Sequence, residues 1–396
     1  MKKIKTYKIL LSALLALALL SLAACGQSNN TPAEAPSAGE TPEPPGGESQ
    51  ASTEPLTLSE SSVFLSSGEE ITLSASRPDV SYTVADESVA KIDANGKLTA
   101  LAHGATYVTA SSQEETAVCG VLVDMLGGED YVNINGKSMK PVIHERELIK
   151  WTILQNWDFV PQTGDFYLIQ QYDTTPSDDI VTRLQPDGTE TYMRLLNAGH
   201  GNILCAEYAE DGSVYLWVNA NGNVSGTHDS FMRVKWEDGG IIDNDCEHIW
   251  TVEGMTYHPS AVVDEENRLA LVAVKQGTKM FFRIYDMDSM LAGQPVELTR
   301  FECLLGTADG EMGYHSFQGL CIKGDYIYFL EGGPGTNIYV SVLDFSGQLL
   351  SMELVNGYET ISYREPEGVQ VIDGEIYIGI GSGDSGNRRA NIFVLK

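Results

Sequence analysis

The chain has 396 residues, enough for two or three domains. It carries 25 Lys+Arg against 55 Asp+Glu, a formal net charge of −30. That excludes a phosphate-backbone binder as the default, because nucleic-acid affinity needs a basic surface that releases counterions. With 18 Tyr, 11 Phe, 5 Trp and 39 Gly, the composition points to strands and turns rather than to helices or disorder.

Lys2, Lys3, Lys5 and Lys8 make a basic start, and residues 9–24 are a mostly apolar run of sixteen. A helix that spans a bilayer needs about 20 such residues, so the run reads as a secretory signal. It ends in Leu22-Ala23-Ala24-Cys25-Gly26, which resembles a bacterial lipoprotein signal. The resemblance implies cleavage before Cys25 and a diacylglycerol on its sulfur. A plain signal peptide with a chance cysteine is the alternative. Acyl chains would anchor the protein in the membrane at ~0.8 kcal/mol per buried CH2. Removing the four lysines takes the net charge from −30 to −34. So acidic a protein is repelled by anionic lipid and anionic glycopolymer, and a polyanionic ligand would need local Arg or Lys, or a bridging cation.

The next segment, residues 25–55, is the lipidated cysteine and a linker. Residues 26–55 hold six Pro, five Glu and no large apolar side chain. Such a stretch builds no core. It is a tether with a root-mean-square reach of about 30 Å. Five further cysteines follow, Cys119, Cys205, Cys246, Cys303 and Cys321. The number is odd and no metal-binding spacing occurs. Most sit in apolar, strand-like runs, so they read as small buried hydrophobes rather than a disulfide framework.

Residues 56–126 show short alternating runs such as Ile71-Thr72-Leu73-Ser74-Ala75, broken by Gly, Asp and Ser. Strands at this spacing suggest a sandwich. Ser67-Gly68-Glu69-Glu70-Ile71-Thr72-Leu73, the run Ser81 to Asp93, Gly96-Lys97-Leu98-Thr99-Ala100-Leu101 and His103-Gly104-Ala105-Thr106 follow in order. Together they resemble the bacterial immunoglobulin-like group 2 domain. Tyr82 stands where that family commonly has Trp, so an aromatic core plug is kept. The resemblance implies a spacer or adhesion module of surface proteins.

Residues 127–396 repeat. Five segments share a polar lead-in, an alternating apolar strand, a Gly/Asp/Asn turn and a second strand. Tyr167, Tyr215, Ala270, Tyr328 and Tyr377 are equivalent, at spacings of 48, 55, 58 and 49. A period near 50 in an all-β chain means propeller blades, with an antiparallel β-solenoid as the rival, and five repeats argue for five blades. The fold class is therefore all-β, a small Ig-like β-sandwich followed by a five-bladed β-propeller. Gly199-His200-Gly201-Asn202, Tyr257-His258-Pro259, Ser316-Phe317-Gln318-Gly319 and the run Arg364 to Gln370 carry a second resemblance. So do Gly381-Ser382-Gly383 and the run Arg388 to Phe393. They look like the propeller shared by staphylococcal-phage receptor-binding tail proteins, helveticin-type bacteriocins and teichoic-acid-associated surface proteins of bacilli. That resemblance implies engagement of cell-wall glycopolymer and supplies no catalytic set.

Ligand-binding candidates are the lead-in residues, because a propeller brings equal phases of its repeat into one ring. His200, His258, Gln318, Arg364 and Glu367 are expected around one channel mouth, where such groups orient sugar hydroxyls. Arg364 matters most for a phosphate polymer. Each has a plain alternative: His200 as a brace between blades, Glu367 in a salt bridge to Arg364. Trp157 and Trp217 either stack on sugars or fill the blade core. Asp158, Glu207 and Glu367 raise the alternative of a glycan or phosphodiester hydrolase, and a purely protein-binding propeller is a third reading. No catalytic elbow, HExxH or phosphate-binding loop occurs. Residues 381–387 either bind a cation through oxygens or form a simple turn. The chain is thus expected to be a membrane-anchored surface protein that binds cell-wall glycopolymer or other carbohydrate, with no cofactor and no nucleic-acid partner.

Overall fold

The computed structural model describes residues 54–124, 130–172, 178–222, 229–243, 248–251, 259–276, 279–304, 316–359 and 361–396. The signal, Cys25, nearly all of the linker, Cys246 and His258 lie outside the described residues.

The Ig-like part is a two-sheet sandwich. Ser62–Leu65, Glu115–Val123, Gly104–Ser112 and Ser81–Val84 make one sheet, with the first two strands parallel. Glu70–Thr72, Lys97–Ala100 and Ala90–Ile92 make the other. Leu73, Leu98, Val108, Cys119 and Val121 fill the space between them. Tyr82 packs on that core, and its hydroxyl donates to the Leu73 carbonyl at 3.3 Å. The aromatic plug expected there is in place, and its polar tip is satisfied.

The strand Glu115–Val123 is buried on both faces from Cys119 onward. Cys119, Val121 and Val123 face the sandwich core, while Leu122 joins a core cluster of the propeller. A Cβ on Gly120 would sit 1.9 Å from the Leu298 carbonyl oxygen. Only glycine permits this approach. Thr299 Oγ1 also donates to Ser62 Oγ at 3.3 Å. The Ig-like part is therefore packed onto the outermost strand of blade 3.

Five blades follow, each a meander of four antiparallel strands from the axis outward. Blade 1 is Leu154–Val160, Asp165–Gln171, Asp179–Leu184 and Glu190–Leu195, extended by the short parallel strand Ile241–Ile242. Blade 2 is Leu204–Tyr208, Val214–Ala220, Ser230–Lys235 and His248–Thr251. Blade 3 is Ser260–Asp264, Leu269–Gln276, Lys279–Asp286 and Glu297–Leu304, with the helix Met287–Leu291 before its last strand. Blade 4 is Phe317–Lys323, Tyr326–Glu331, Tyr339–Asp344 and Leu349–Leu354. Blade 5 takes Arg364–Ile372, Glu375–Ser382 and Arg389–Leu395 from the end of the chain. Its outermost strand is Met139–Glu147, paired antiparallel from Arg389 opposite Glu147 to Leu395 opposite Met139. This pairing closes the ring by joining the two ends of the repeat region.

All five repeat markers, Tyr167, Tyr215, Ala270, Tyr328 and Tyr377, fall on the second strand of their blade. The inner strands touch in the cyclic order of blades 1 to 5 and back to 1. Their exposed N–H edges are captured by side chains of the neighbouring blade. Ala206 N donates to Asp158 Oδ2 at 2.6 Å, Tyr208 N to Glu265 Oε1 at 2.7 Å, and Gly324 N to Asp264 Oδ2 at 3.0 Å. These bonds give the amides partners that the strand ladders do not supply. Near the axis the backbones crowd: a Cβ on Gly319 would lie 2.7 Å from the Gly368 Cα.

Candidate functional site

The last residues of all five inner strands, Val160, Tyr208, Asp264, Lys323 and Ile372, line one cavity. The strands therefore all end at that mouth of the channel, called here the C-mouth, and begin at the opposite N-mouth. The sequence candidates belong to the N-mouth.

Gln318 is the extra residue of a bulge near the start of blade 4's inner strand, and its Nε2 donates to Glu365 Oε1 at 3.4 Å. Arg364 opens the inner strand of blade 5, with its guanidinium 4.7 Å from the centroid of the Tyr358 ring. Glu367 lies in a second bulge, between Pro366 and Val369, and is only 5% exposed. Burial, reinforced by the Glu365 charge, pushes its carboxyl well above the usual range. Burial also raises Glu365, opposed by its bond from Gln318 and by the Arg388 charge. Burial thus disfavours the charged form of both acids. Arg364 and Glu367 form no ion pair among the described residues.

His200 is exposed between blades 1 and 2, with Nδ1 3.4 Å from Gln171 Nε2. Asn202 bridges the same blades beside it. Its carbonyl accepts from Asn156 Nδ2 at 2.9 Å and its Oδ1 from Asn219 Nδ2 at 3.0 Å. The structure thus places Gln318, Arg364 and Glu367 on blades 4 and 5 and His200 between blades 1 and 2.

Sequence reasoning missed the aromatic part of this mouth. Trp151 is 53% exposed and Tyr363 47%. Arg388 lies 4.6 Å over the Tyr363 ring, and its Nη1 donates to the Gly383 carbonyl at 2.6 Å. Lys150 Nζ stands 3.7 Å over Tyr172, which Arg194 also covers at 4.0 Å. A cation over an aromatic face is held by the ring quadrupole. Trp157 and Trp217, the tryptophans weighed as stacking residues, are fully buried blade core. The flanking residues gave no signal: Trp151 stands among Leu148, Ile149 and Ile153, whereas the buried Trp157 is flanked by Gln155, Asn156 and Asp158.

The C-mouth cavity has a volume of about 940 Å³. Eight carboxylates and three cations line it. Each cation has a carboxylate partner: Arg233 on Glu207, Lys323 on Glu266 at 2.7 Å and Arg268 on Asp288. Glu207 accepts from Arg233 Nε at 2.6 Å and Nη2 at 2.9 Å, and also from Trp217 Nε1 at 2.9 Å. Asp158 accepts from the Ala206 and Phe159 amides, yet burial pushes its carboxyl up to about 7. Burial does the same to Glu265, also to about 7, with the Glu207 and Asp264 charges adding to it.

Residues 153–394 match the family model described as the phage 5-bladed beta propeller receptor binding platform domain. The chain belongs to that family. Residues 55–121 match the bacterial Ig-like domain, group 2. Among solved structures, the tail fiber of Staphylococcus aureus phage P68 is similar at a TM-score of 0.55 and 16% identity. The similarity covers 68% of this chain and 54% of the fiber, so the chain spans about half the fiber's length. The periplasmic gluconolactonase PpgL of Pseudomonas aeruginosa aligns at a TM-score of 0.35 and 12% identity, over 60% of this chain and 70% of that one. An exo-beta-1,3-galactanase from Phanerochaete chrysosporium aligns at 0.42 and 5%, over 65% and 64%. No curated protein matches the chain.

Within the receptor-binding platform, Gln318, Tyr363, Arg364, Glu367 and Arg388 all lie inside the matched span, whereas Trp151 precedes it. The closing strand Met139–Glu147 precedes it too. Among the described residues no helix is long and apolar enough to cross a membrane.

Proposed function

We propose that the mature protein is a lipid-anchored surface protein whose propeller binds cell-wall carbohydrate or teichoic acid without turning it over. The observation that carries this reading is membership of a receptor-binding platform family, joined to an Ig-like group 2 domain. Both support a role in binding at a cell surface. The proposed organisation is a signal at 1–24, the lipidated Cys25 and tether at 25–55, the Ig-like domain at 56–126 and the propeller at 127–396. The ligand is assigned to the N-mouth, with His200, Gln318, Arg364 and Glu367 as its candidate contacts; His258, outside the described residues, completes the candidate set.

A hydrolase is the second reading, because Asp158 and Glu207 share the C-mouth cavity and Asp158 is pushed up to about 7. That asymmetry is what an acid and a charged partner require. Their partners argue against it. Glu207 is tied to Arg233 and Trp217, and both Asp158 oxygens take backbone amides. Carboxylates fixed in the frame of the propeller are poorly free to serve a substrate.

Retention of the mature chain on purified cell walls, before and after extraction of teichoic acid, tests the binding reading. Retention without release of soluble sugar is expected. Absence of retention on every wall fraction would reject it, and sugar release would favour the hydrolase. The anchor is tested separately: Cys25→Ser should move the protein from the membrane fraction to the medium or leave it unprocessed. Unchanged fractionation and processing would remove Cys25 as the anchor.

A further inference from the structure

Besides its seat on blade 3, the Ig-like part borders blade 4, and the two enclose a cleft of about 480 Å³. Clefts that take ligands measure roughly 300–1,000 Å³. Phe64, Leu65 and Leu122 line it from the Ig-like sheet, and Tyr326, Phe345 and Leu350 from blade 4. Phe64 is left 48% exposed there. The two sides are fixed against each other, because Leu122 belongs to a core cluster of the propeller and Gly120 admits the Leu298 carbonyl. A cleft that needs no ordering costs less to fill.

The strand Ser62–Leu65 ends its sheet, with Glu115–Val123 on one side only. The Ser61 and Leu65 carbonyls accept from the Gly120 and Asp124 amides at 3.0 and 3.2 Å. Alternate residues of a strand bond to one neighbour, so the backbone of Phe64 faces the open side. Its N–H and C=O have no hydrogen-bond partner among the described residues. A strand added there would send every second side chain to the face that carries Phe64, which lines the cleft.

Charge selects the occupant. Glu69, Asp124, Asp325 and Asp344 complete the lining, and among the described residues no Lys, Arg or His joins them. Glu69 accepts from the Ser66 amide at 3.0 Å, and Asp344 from the Ser346 and Gln348 amides, each at 2.9 Å. These local turn bonds leave the charges uncancelled. Such a lining repels an anionic polymer and a second copy of this chain, whose net charge is −30. It favours a cationic partner.

We propose that the cleft between the Ig-like domain and blade 4 docks an extended basic segment of a partner protein. The segment pairs with the open edge of Ser62–Leu65 and packs its apolar side chains on Phe64 and Leu350. Its Lys or Arg side chains meet Glu69, Asp124 and Asp344. The Ig-like domain thereby takes part in recognition, beyond acting as a spacer. The cleft is separate from the N-mouth, so this site and the wall-binding reading stand or fall independently.

The full mature chain is titrated, by fluorescence anisotropy, with a labelled peptide of alternating Lys and Val. The same peptide with Glu for Lys, and the Lys peptide methylated at its backbone amides, are the controls. The Lys peptide should bind about tenfold or more tighter than the Glu peptide. Its affinity should fall as NaCl rises from about 50 to about 500 mM. The double variant Glu69→Gln, Asp124→Asn should lose about tenfold, with melting temperature and wall retention kept. Phe64→Ala should lose about fivefold or more. Amide methylation should abolish binding, because it removes the donors that a strand needs. Equal affinity for the Glu peptide overturns the proposal. So does full binding by both variants, which would place the peptide on other acids of the chain. Full binding of the methylated peptide overturns it too, in favour of a site for small apolar amines. If Phe64→Ala fails to fold, the charge variant decides.

Discussion

The two mouths of the channel are opposite ends of the same five strands, yet they hold their cations differently. At the C-mouth every lining cation has a carboxylate, and further carboxylates crowd one another until burial lifts Asp158 and Glu265 to about 7. At the N-mouth two arginines rest on tyrosines with no carboxylate in ion-pair distance among the described residues, and burial raises the nearby acids Glu365 and Glu367. A chain of net charge −30 does not draw a polyanion in from a distance. Screening confines each charge to roughly 8–10 Å at ordinary salt. Local segregation, rather than net charge, therefore sets the charge that each mouth presents.

The largest effect expected from testing this contrast lies at the C-mouth. Glu207 and Arg233 are both nearly buried, at 4% and 11% side-chain exposure. Glu207→Ala leaves the guanidinium and the Trp217 N–H without their acceptor. Breaking a buried pair from one side costs about 3–5 kcal/mol. Urea unfolding of the full chain measures it. Wall binding by the folded protein should be unchanged. A loss below about 1 kcal/mol would mean the pair behaves as a surface ion pair, and the C-mouth would not be the rigid frame described here.

Trp151→Ala is the converse case at the N-mouth. Half-exposed side chains away from caps and cores change stability by roughly 0.5 kcal/mol or less. Stability should thus be kept while retention on walls falls. If both stay unchanged, the exposed ring is incidental, and the functional contrast between the mouths reduces to charge alone.

The blades were legible because each repeats the same local choices. An alternating strand, a turn and a second strand recur, and the repeat markers landed on one strand of each blade. The closing strand was not legible. Met139–Glu147 carries Lys140, His144, Glu145, Arg146 and Glu147, looks polar, and pairs with residues some 250 positions away. Docking of the Ig-like part was hidden too. Gly120 and Leu122 read as ordinary alternation, and only contact with Leu298 shows that the second face is covered. At the site, residue type and phase pointed to Arg364, Gln318 and Glu367. Whether an arginine has a carboxylate is a three-dimensional property, so Arg388 drew no notice. Trp151 and Trp157 are six residues apart with opposite fates, one exposed and one core, which composition does not separate.

The smallest predicted effect is a change in pH dependence at the C-mouth. Asp158 and Glu265 both titrate near 7 in the folded protein, above the roughly 4 of an unfolded carboxyl. Between those values the native state binds more protons than the unfolded state. Their contribution is therefore fully present below about 4 and is lost as pH rises through about 7. The melting temperature should rise when pH falls from about 8 to about 5.5. Glu265→Gln keeps an acceptor for the Tyr208 amide and removes the charge. It should raise stability at pH 8 and reduce the slope between 5.5 and 8. Asp158 is less suitable, because it accepts from two backbone amides and an Asn would turn a donor toward one of them. Glu365 and Glu367 shift in the same direction, so the slope should shrink without vanishing. An unchanged slope in Glu265→Gln would show that crowding at the C-mouth does not govern this titration. Wall binding by that variant should match wild type at each pH, since the charge removed lies at the opposite end of the channel from the arginines.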